Sequence, residues 1–151
     1  MGVEIGMIRV SVAVATYNGE RYLAEQLESI LDALEQNDEI VISDDGSTDD
    51  TRKVIETFQK KDSRIRLVDG PRQGVKKNFE SAIRSCSGQY IFLCDQDDIW
   101  TKDKVEVVLH AFEKEKCSVR VSFFDYDCIG SVFNKRNSCC CSCRCGNIGF
   151  F

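Results

Sequence analysis

Apolar residues along this chain fall into two alternating patterns. Short β-branched runs are followed by segments whose apolar residues recur every three or four positions. The runs read as strands and the recurrences as amphipathic helices. Ile8–Thr16 is the first predicted strand and ends at the turn signal Tyr17-Asn18-Gly19. Leu23, Leu27, Ile30, Leu31 and Leu34 then predict a helix over 20–36, broken by Asn37-Asp38. Glu39–Ser43 is the second strand and runs into Asp44-Asp45-Gly46. Ser47 or Thr48 is expected to cap a helix striped by Val54, Ile55 and Phe58. Ile65–Val68 is a short third strand, and Asp69–Gly74 is a loop holding the only proline. A helix over Asn78–Arg84 carries Phe79, Ala82 and Ile83 on one face. The fourth strand starts at Tyr90 and meets Asp95, Asp97 and Asp98 within four residues. Thr101 is a plausible cap for a last helix with Val105, Val108, Leu109 and Phe112 inward. Val119–Phe124 reads as a fifth strand, and after Gly130 no helical or strand period is visible.

This order predicts an α/β fold with a doubly wound, mostly parallel sheet. In such sheets ligands bind beyond the carboxyl ends of the strands. A length of 151 residues and a hydrophobic fraction of 42% suit one domain with a real core. No apolar run approaches the roughly 18 residues of a bilayer span, so no integral membrane segment is expected. The first residues lack the basic region of a secretory signal. The expected location is the cytoplasm, with peripheral association at the inner membrane face through partners.

Net charge is −5, which gives no electrostatic support to nucleic-acid binding. Residues 1–117 hold 23 of the acids and 16 of the Lys and Arg residues, a net −7, while residues 118–151 are net +2. Cys86, Cys94 and Cys117 are scattered and read as ordinary buried thiols. Cys128, Cys139, Cys140, Cys141, Cys143 and Cys145 crowd the end. They do not form the two separated pairs of a structural zinc site. A secreted disulfide knot conflicts with the missing signal. Residues 118–151 are therefore read as an atypical Cys-rich tail, disordered or frameshifted. His110, the single histidine, is read as a surface residue.

Three loops gather at one predicted sheet edge: Thr16-Tyr17-Asn18-Gly19, Asp44-Asp45-Gly46-Ser47 and Asp95-Gln96-Asp97-Asp98. A nucleotide needs a surface for its base, an acceptor for a base N–H or ribose hydroxyl, and charge neutralisation for its phosphates. A Tyr-containing loop, a carboxylate pair and an acidic cluster supply these in turn. Hard oxygen ligands suit a divalent cation, Mg²⁺ or Mn²⁺, which holds a diphosphate through one or two protein carboxylates.

The three segments Val12–Gly19, Ile42–Asp49 and Phe92–Trp100 resemble a family 2 glycosyltransferase, closest to the rhamnosyltransferase-like group. The likeness covers roughly residues 8–116. It implies a GT-A fold over 1–117 that binds a nucleotide diphosphate sugar and transfers the sugar to a glycan or lipid-linked acceptor. It places Thr16 and Tyr17 at the base and ribose, Asn18 among the substrate-binding residues, Asp45 bonding the base or ribose, and Asp44 shaping the loop. It places Asp95 near the ribose or sugar and Asp97 on the metal and diphosphate, the two being the D-x-D pair and the implied metal ligands. Arg72, Gly74 and Asn78 fall where the family closes over the nucleotide. Trp100 packs the loop from below.

The later half that supplies a general base in this family is not recognisable after residue 117. Asp125 and Asp127 lie in a segment without the resemblance, so no catalytic base is assigned. The expectation is an incomplete donor-binding domain. The alternative is a catalytically inactive remnant that at most binds nucleotide sugar. A phospho-acceptor receiver domain is disfavoured because the first strand ends in Thr-Tyr-Asn-Gly rather than an acid pair. A dinucleotide-binding domain is disfavoured because no G-x-G-x-x-G follows that strand.

Overall fold

All seven residues of the first strand, β1 (Val10–Thr16), are buried, and the sheet is built outward from it. The structure is a computed structural model that describes residues 9–95, 98–114 and 132–134. Helix α1 (Glu20–Ala33) follows, then β2 (Glu39–Asp44), α2 (Thr51–Lys61), β3 (Ile65–Asp69), α3 (Val75–Ser85), β4 (Tyr90–Asp95), α4 (Lys104–Lys114) and β5 (Val132–Asn134). The strand order is β3-β2-β1-β4-β5. The first four strands are parallel and β5 pairs antiparallel with β4. This is the expected doubly wound α/β sheet. β1 sits between β2 and β4, with Thr16 beside Asp44 and Ala15 beside Asp95. The three loops named above therefore leave the sheet side by side.

The two faces of the sheet are covered unequally. Val10, Val12 and Val14 point with Ile40, Ile42 and Phe92 into a core closed by Leu23, Leu27 and Ile30 of α1, Ile55 of α2 and Val105 of α4. Each fully buried Leu or Ile contributes about 1.5–3 kcal/mol relative to exposure. The opposite face holds a smaller cluster of Ala13, Val41 and Ile91 under Ala82 and Cys86. Alternate residues of one strand thus serve two cores, which is why β1 shows no polar face.

Several boundaries differ from the sequence reading for local reasons. α1 ends three residues early because other groups satisfy its last turn. The Glu35 N–H donates to Asp38, and Arg64 donates to the Leu34 and Glu35 carbonyls. Ser47 and Thr48 do not cap α2. That helix starts at Thr51, whose N–H donates to Asp49 at 3.0 Å, while Ser47 is engaged by Asp44. α3 begins a turn early, after Gly74 at φ 88°. β5 falls where the sequence shows no strand period, since three residues are too few to display one. Its register partners are Tyr90, Ile91 and Phe92. The expected strand Val119–Phe124 and the cysteine cluster lie outside the described residues. Cys86 and Cys94 are buried free thiols, and His110 is exposed.

Charge is excluded from the middle of the sheet and collects at both strand ends. At the amino end the Glu39 carboxylate accepts hydrogen bonds from Ser11 Oγ, the Ser87 N–H and Arg66. Ser11 Oγ in turn accepts from the Gly88 N–H at 2.7 Å. A Cβ at Gly88 would lie 2.6 Å from Ser11 N, so only glycine passes this close to β1. Burial pushes the Glu39 carboxyl up, but the Ser11, Ser87 and Arg66 donors outweigh it and hold the group below its ordinary range. A carboxylate with a depressed folded pKa stabilises the fold above its unfolded pKa, and that stability is lost as pH falls through the folded value. Glu39→Gln is therefore expected to cost about 1.5–3 kcal/mol at neutral pH. The gap to the parent should close below a pH of about 4.5. Urea unfolding from pH 7 down to pH 3 measures it, and a pH-independent gap would exclude the charge as the cause.

Candidate functional site at the carboxyl edge

The loops after β1 and β2 form one unit. The Asn18 N–H donates to Ser47 Oγ at 2.9 Å, and the Thr48 N–H donates to Asn18 Oδ1 at 2.8 Å. The Gly19 N–H donates to Thr51 Oγ1 at 2.8 Å. Asn18 adopts φ 50°, a left-handed conformation that Asn tolerates better than most residues. Its side chain is spent on this staple. Beneath it, Thr16 Oγ1 donates to Asp44 Oδ1 at 3.2 Å. Asp44 also accepts from the Ser47 N–H, the Ser47 hydroxyl and Arg52. Asp44 thus shapes the loop, as the sequence reading expected of it.

Asp45 organises the third wall. Its Oδ1 accepts from the N–H groups of Arg72 and Gln73, and its Oδ2 accepts from that of Gly74. These bonds wrap the β3–α3 loop around one carboxylate and hold Arg72 at φ 57°. The Arg72 side chain then lies across Gly46. A Cβ there would sit 2.9 Å from Arg72 Nε, and Gly46 itself is at φ 90°. Asn78, 2% exposed, donates from Nδ2 to the carbonyls of Thr16 and Ser43. It ties α3 to the ends of both strands. Gly70 passes so close that a Cβ would lie 2.5 Å from Asn78 Oδ1 and 2.8 Å from the Asp44 carbonyl.

Together these elements enclose an open cavity of about 530 Å³. Thr16, Tyr17, Asp45, Arg72, Asn78 and Asp95 all line it, so six of the residues singled out in the sequence converge on one space. Gly74 lines it as well. Asn18 does not appear among the lining residues. Its structural neighbours are Ser47 and Thr48. Three lining residues were not singled out, Ala15, Gly46 and Val75. Val75 is 61% exposed in the first turn of α3. Its spacing from Phe79 and Ala82 continues the apolar stripe of α3, so the sequence carried no signal that set it apart. Tyr17, at 54% exposure, presents a second apolar surface. Among the described residues the Arg72 guanidinium forms no ion pair, so its charge is open to the cavity.

Asp95 ends β4 at the rim. The Asp98 N–H donates to the Asp95 carbonyl at 3.3 Å, and the Asp95 N–H donates to Asp98 Oδ2 at 3.4 Å. Gln26, fully buried on α1, donates from Nε2 to the same Asp95 carbonyl and to Cys94 Sγ. The Trp100 N–H donates to Ser29 Oγ at 3.0 Å. Helix α1 thus supports the acidic turn from below, and Trp100 packs there against Phe92 with ring centroids 5.6 Å apart. Burial pushes the Cys94 thiol well above its ordinary range, which leaves it an inert core group. Asp97 lies outside the described residues. Among the described residues no three His, Cys, Asp or Glu side chains cluster as a metal cage. A Mg²⁺ or Mn²⁺ that rides on a diphosphate needs only one or two protein carboxylates. Asp95, an oxygen donor on the cavity rim, fits that requirement.

The family model described as glycosyl transferase family 2 matches residues 11–145. The glycosyltransferase GlyG of Streptococcus pneumoniae is 32% identical over 120 residues, which span 78% of this chain and 40% of that protein. The dTDP-rhamnosyl transferase RfbG of Shigella flexneri is 41% identical over 99 residues, 62% of this chain and 34% of that protein. The crystal structure of S. aureus TarS 1-349 in complex with UDP-GlcNAc superposes with a TM-score of 0.67 at 26% identity. That likeness covers 74% of this chain and 33% of that one. The chain thus spans well under half of these relatives.

The Asp45 latch has a direct test. Asp45→Asn places an NH₂ group against at least one backbone N–H, whichever way the amide turns. The expected cost is about 1–3 kcal/mol, with faster hydrogen exchange confined to the amides of residues 72–74. Unchanged exchange there would show that the loop holds its shape without the carboxylate.

Proposed function

The chain belongs to glycosyl transferase family 2, and on that premise we propose that its carboxyl-edge cavity binds a nucleotide diphosphate sugar for transfer to a glycan or lipid-linked acceptor. The single observation that carries this reading is the convergence of unlike groups on one open cavity of about 530 Å³. Tyr17 and Val75 offer apolar surface to a base. Thr16 and Asp45 border the ribose position. Arg72 brings a cation to the anionic part of the ligand. Asp95, with Asp97 as the second member of the D-x-D pair, holds a divalent cation on the diphosphate. That cation supplies Lewis-acid stabilisation to the leaving diphosphate. A volume of this size lies within the usual range for small-molecule sites, about 300–1,000 Å³.

The complex of TarS with UDP-GlcNAc supports a nucleotide sugar as the ligand class. The relatives RfbG and GlyG support the transfer of sugars as the reaction. Among the described residues no helix is long and apolar enough to cross a membrane. We place the reaction in the cytoplasm, at the inner face of the membrane when the acceptor is lipid-linked. The second reading, a domain that binds donor without turning it over, is favoured by one observation. No carboxylate among the described cavity residues is assigned to deprotonate an acceptor hydroxyl.

Calorimetric titration with UDP- and dTDP-sugars, with and without Mn²⁺, separates the readings. The expected result is saturable binding that Mn²⁺ strengthens and that Asp95→Asn weakens. Tyr17→Ala is expected to cost about 1–3 kcal/mol of binding through lost base stacking. Binding without sugar transfer to any acceptor would select the second reading. Absence of binding to every nucleotide sugar would remove both.

A further inference from the structure

Gln26 lies on the buried face of α1 with Leu23, Leu27 and Ile30, and it is fully buried. An apolar side chain is the expected occupant of such a row. Its Nε2 donates to the Asp95 carbonyl and, at 3.2 Å, to Cys94 Sγ. Its Oε1 is buried and has no hydrogen-bond partner. Turning the amide over would set Oε1 against the carbonyl oxygen of Asp95, so the orphaned acceptor comes with the bond. A buried polar atom left unpaired destabilises a fold. The Asp95 carbonyl does not depend on Gln26 alone, since the Asp98 N–H also donates to it at 3.3 Å. Core stability therefore gives no reason for a glutamine at this position. The bond has a particular address instead. Asp95 is the last residue of β4, pairs with Ala15 of β1, and lines the cavity, whereas Gln26 does not line it.

We propose that Gln26 is a positioning residue for donor binding, whose buried carboxamide fixes the main chain of Asp95 and so the place where Asp95 meets the ligand. The inference rests on the reading of the cavity as a nucleotide-sugar site. A side chain on a strand end moves with its backbone, and a binding group must stay within about 0.5 Å of its productive position. Gln26 supplies that hold from a helix packed into the main core, beyond the reach of solvent and ligand. The orphaned Oε1 is the stability given up for it, a trade found where a site needs a fixed geometry that packing alone does not provide.

The test uses the full chain, titrated calorimetrically with UDP-GlcNAc and with dTDP-rhamnose in the presence of Mn²⁺, and unfolded in urea. Gln26→Met keeps an unbranched side chain of similar size and removes both amide atoms. Its urea midpoint is expected at or above that of the parent, while its affinity for the nucleotide sugar falls several-fold. A double-mutant cycle with Asp95→Asn shows whether that loss runs through Asp95. In the Asp95→Asn background, Gln26→Met is expected to weaken binding by a much smaller factor than in the parent. The same factor in both backgrounds would overturn the proposal, because Gln26 would then act on the site without Asp95. A lowered urea midpoint, or a Gln26→Met chain that does not fold, would assign the glutamine to stability and overturn it as well. Parental affinity in Gln26→Met removes the inference and leaves the donor reading standing. A parent chain that binds neither nucleotide sugar removes the donor reading for these ligands, and this inference with it.

Discussion

A strand buried on both faces has no room for charge except at its ends, and the organisation of this protein follows from that constraint. β1 and β2 are buried along their full lengths. Charged side chains in them sit at the first or last residue of a strand, as Glu39 and Asp44 do in β2. At the amino end this produces the Asp38 and Glu39 ties, which fasten the neighbouring chain to the sheet. At the carboxyl end it produces three polar loops held side by side by parallel pairing. The same burial that provides stability also concentrates the polar groups available for binding.

The carboxylates at the carboxyl end differ in how they are held. Asp44 is filled by Thr16, Ser47 and Arg52. Asp45 is committed to three backbone N–H groups and shapes the cavity chiefly by fixing the loop that carries Arg72. Asp95 has its backbone pinned by Gln26 and Asp98, so its side chain is delivered to the rim from a fixed base. Similar residues therefore divide into two that build the loops and one that lines the cavity rim. Arg72 gains its position by the same route, since Gly46 yields the space its side chain crosses.

The sequence made the strands, the helix faces and the convergence of Thr16, Tyr17, Asp45, Arg72, Asn78 and Asp95 legible, because each followed from a periodic pattern or a strand-end motif. It did not reveal how those residues spend their hydrogen bonds. Asn18 reads as a ligand contact in a motif, yet its Oδ1 meets a backbone N–H that is 30 residues away in sequence. Ser47 reads as a helix cap, yet Asp44 captures it three residues earlier. Val75 was invisible because an apolar residue in the first turn of a helix looks like part of a stripe until the helix is docked. In each case long-range geometry overrode a local preference.

The staple between the first two loops also bears on the order in which the protein acquires its parts. Its bonds link residues 29, 30 and 32 positions apart, and each requires β1 and β2 to be already paired in the native alignment. A slip of the parallel ladder would separate Asn18 from Ser47 and Thr48 and leave the cavity without its wall. The cavity wall therefore forms only once these two strands are paired. A chain that displays it has already passed a check on the alignment of its central strands.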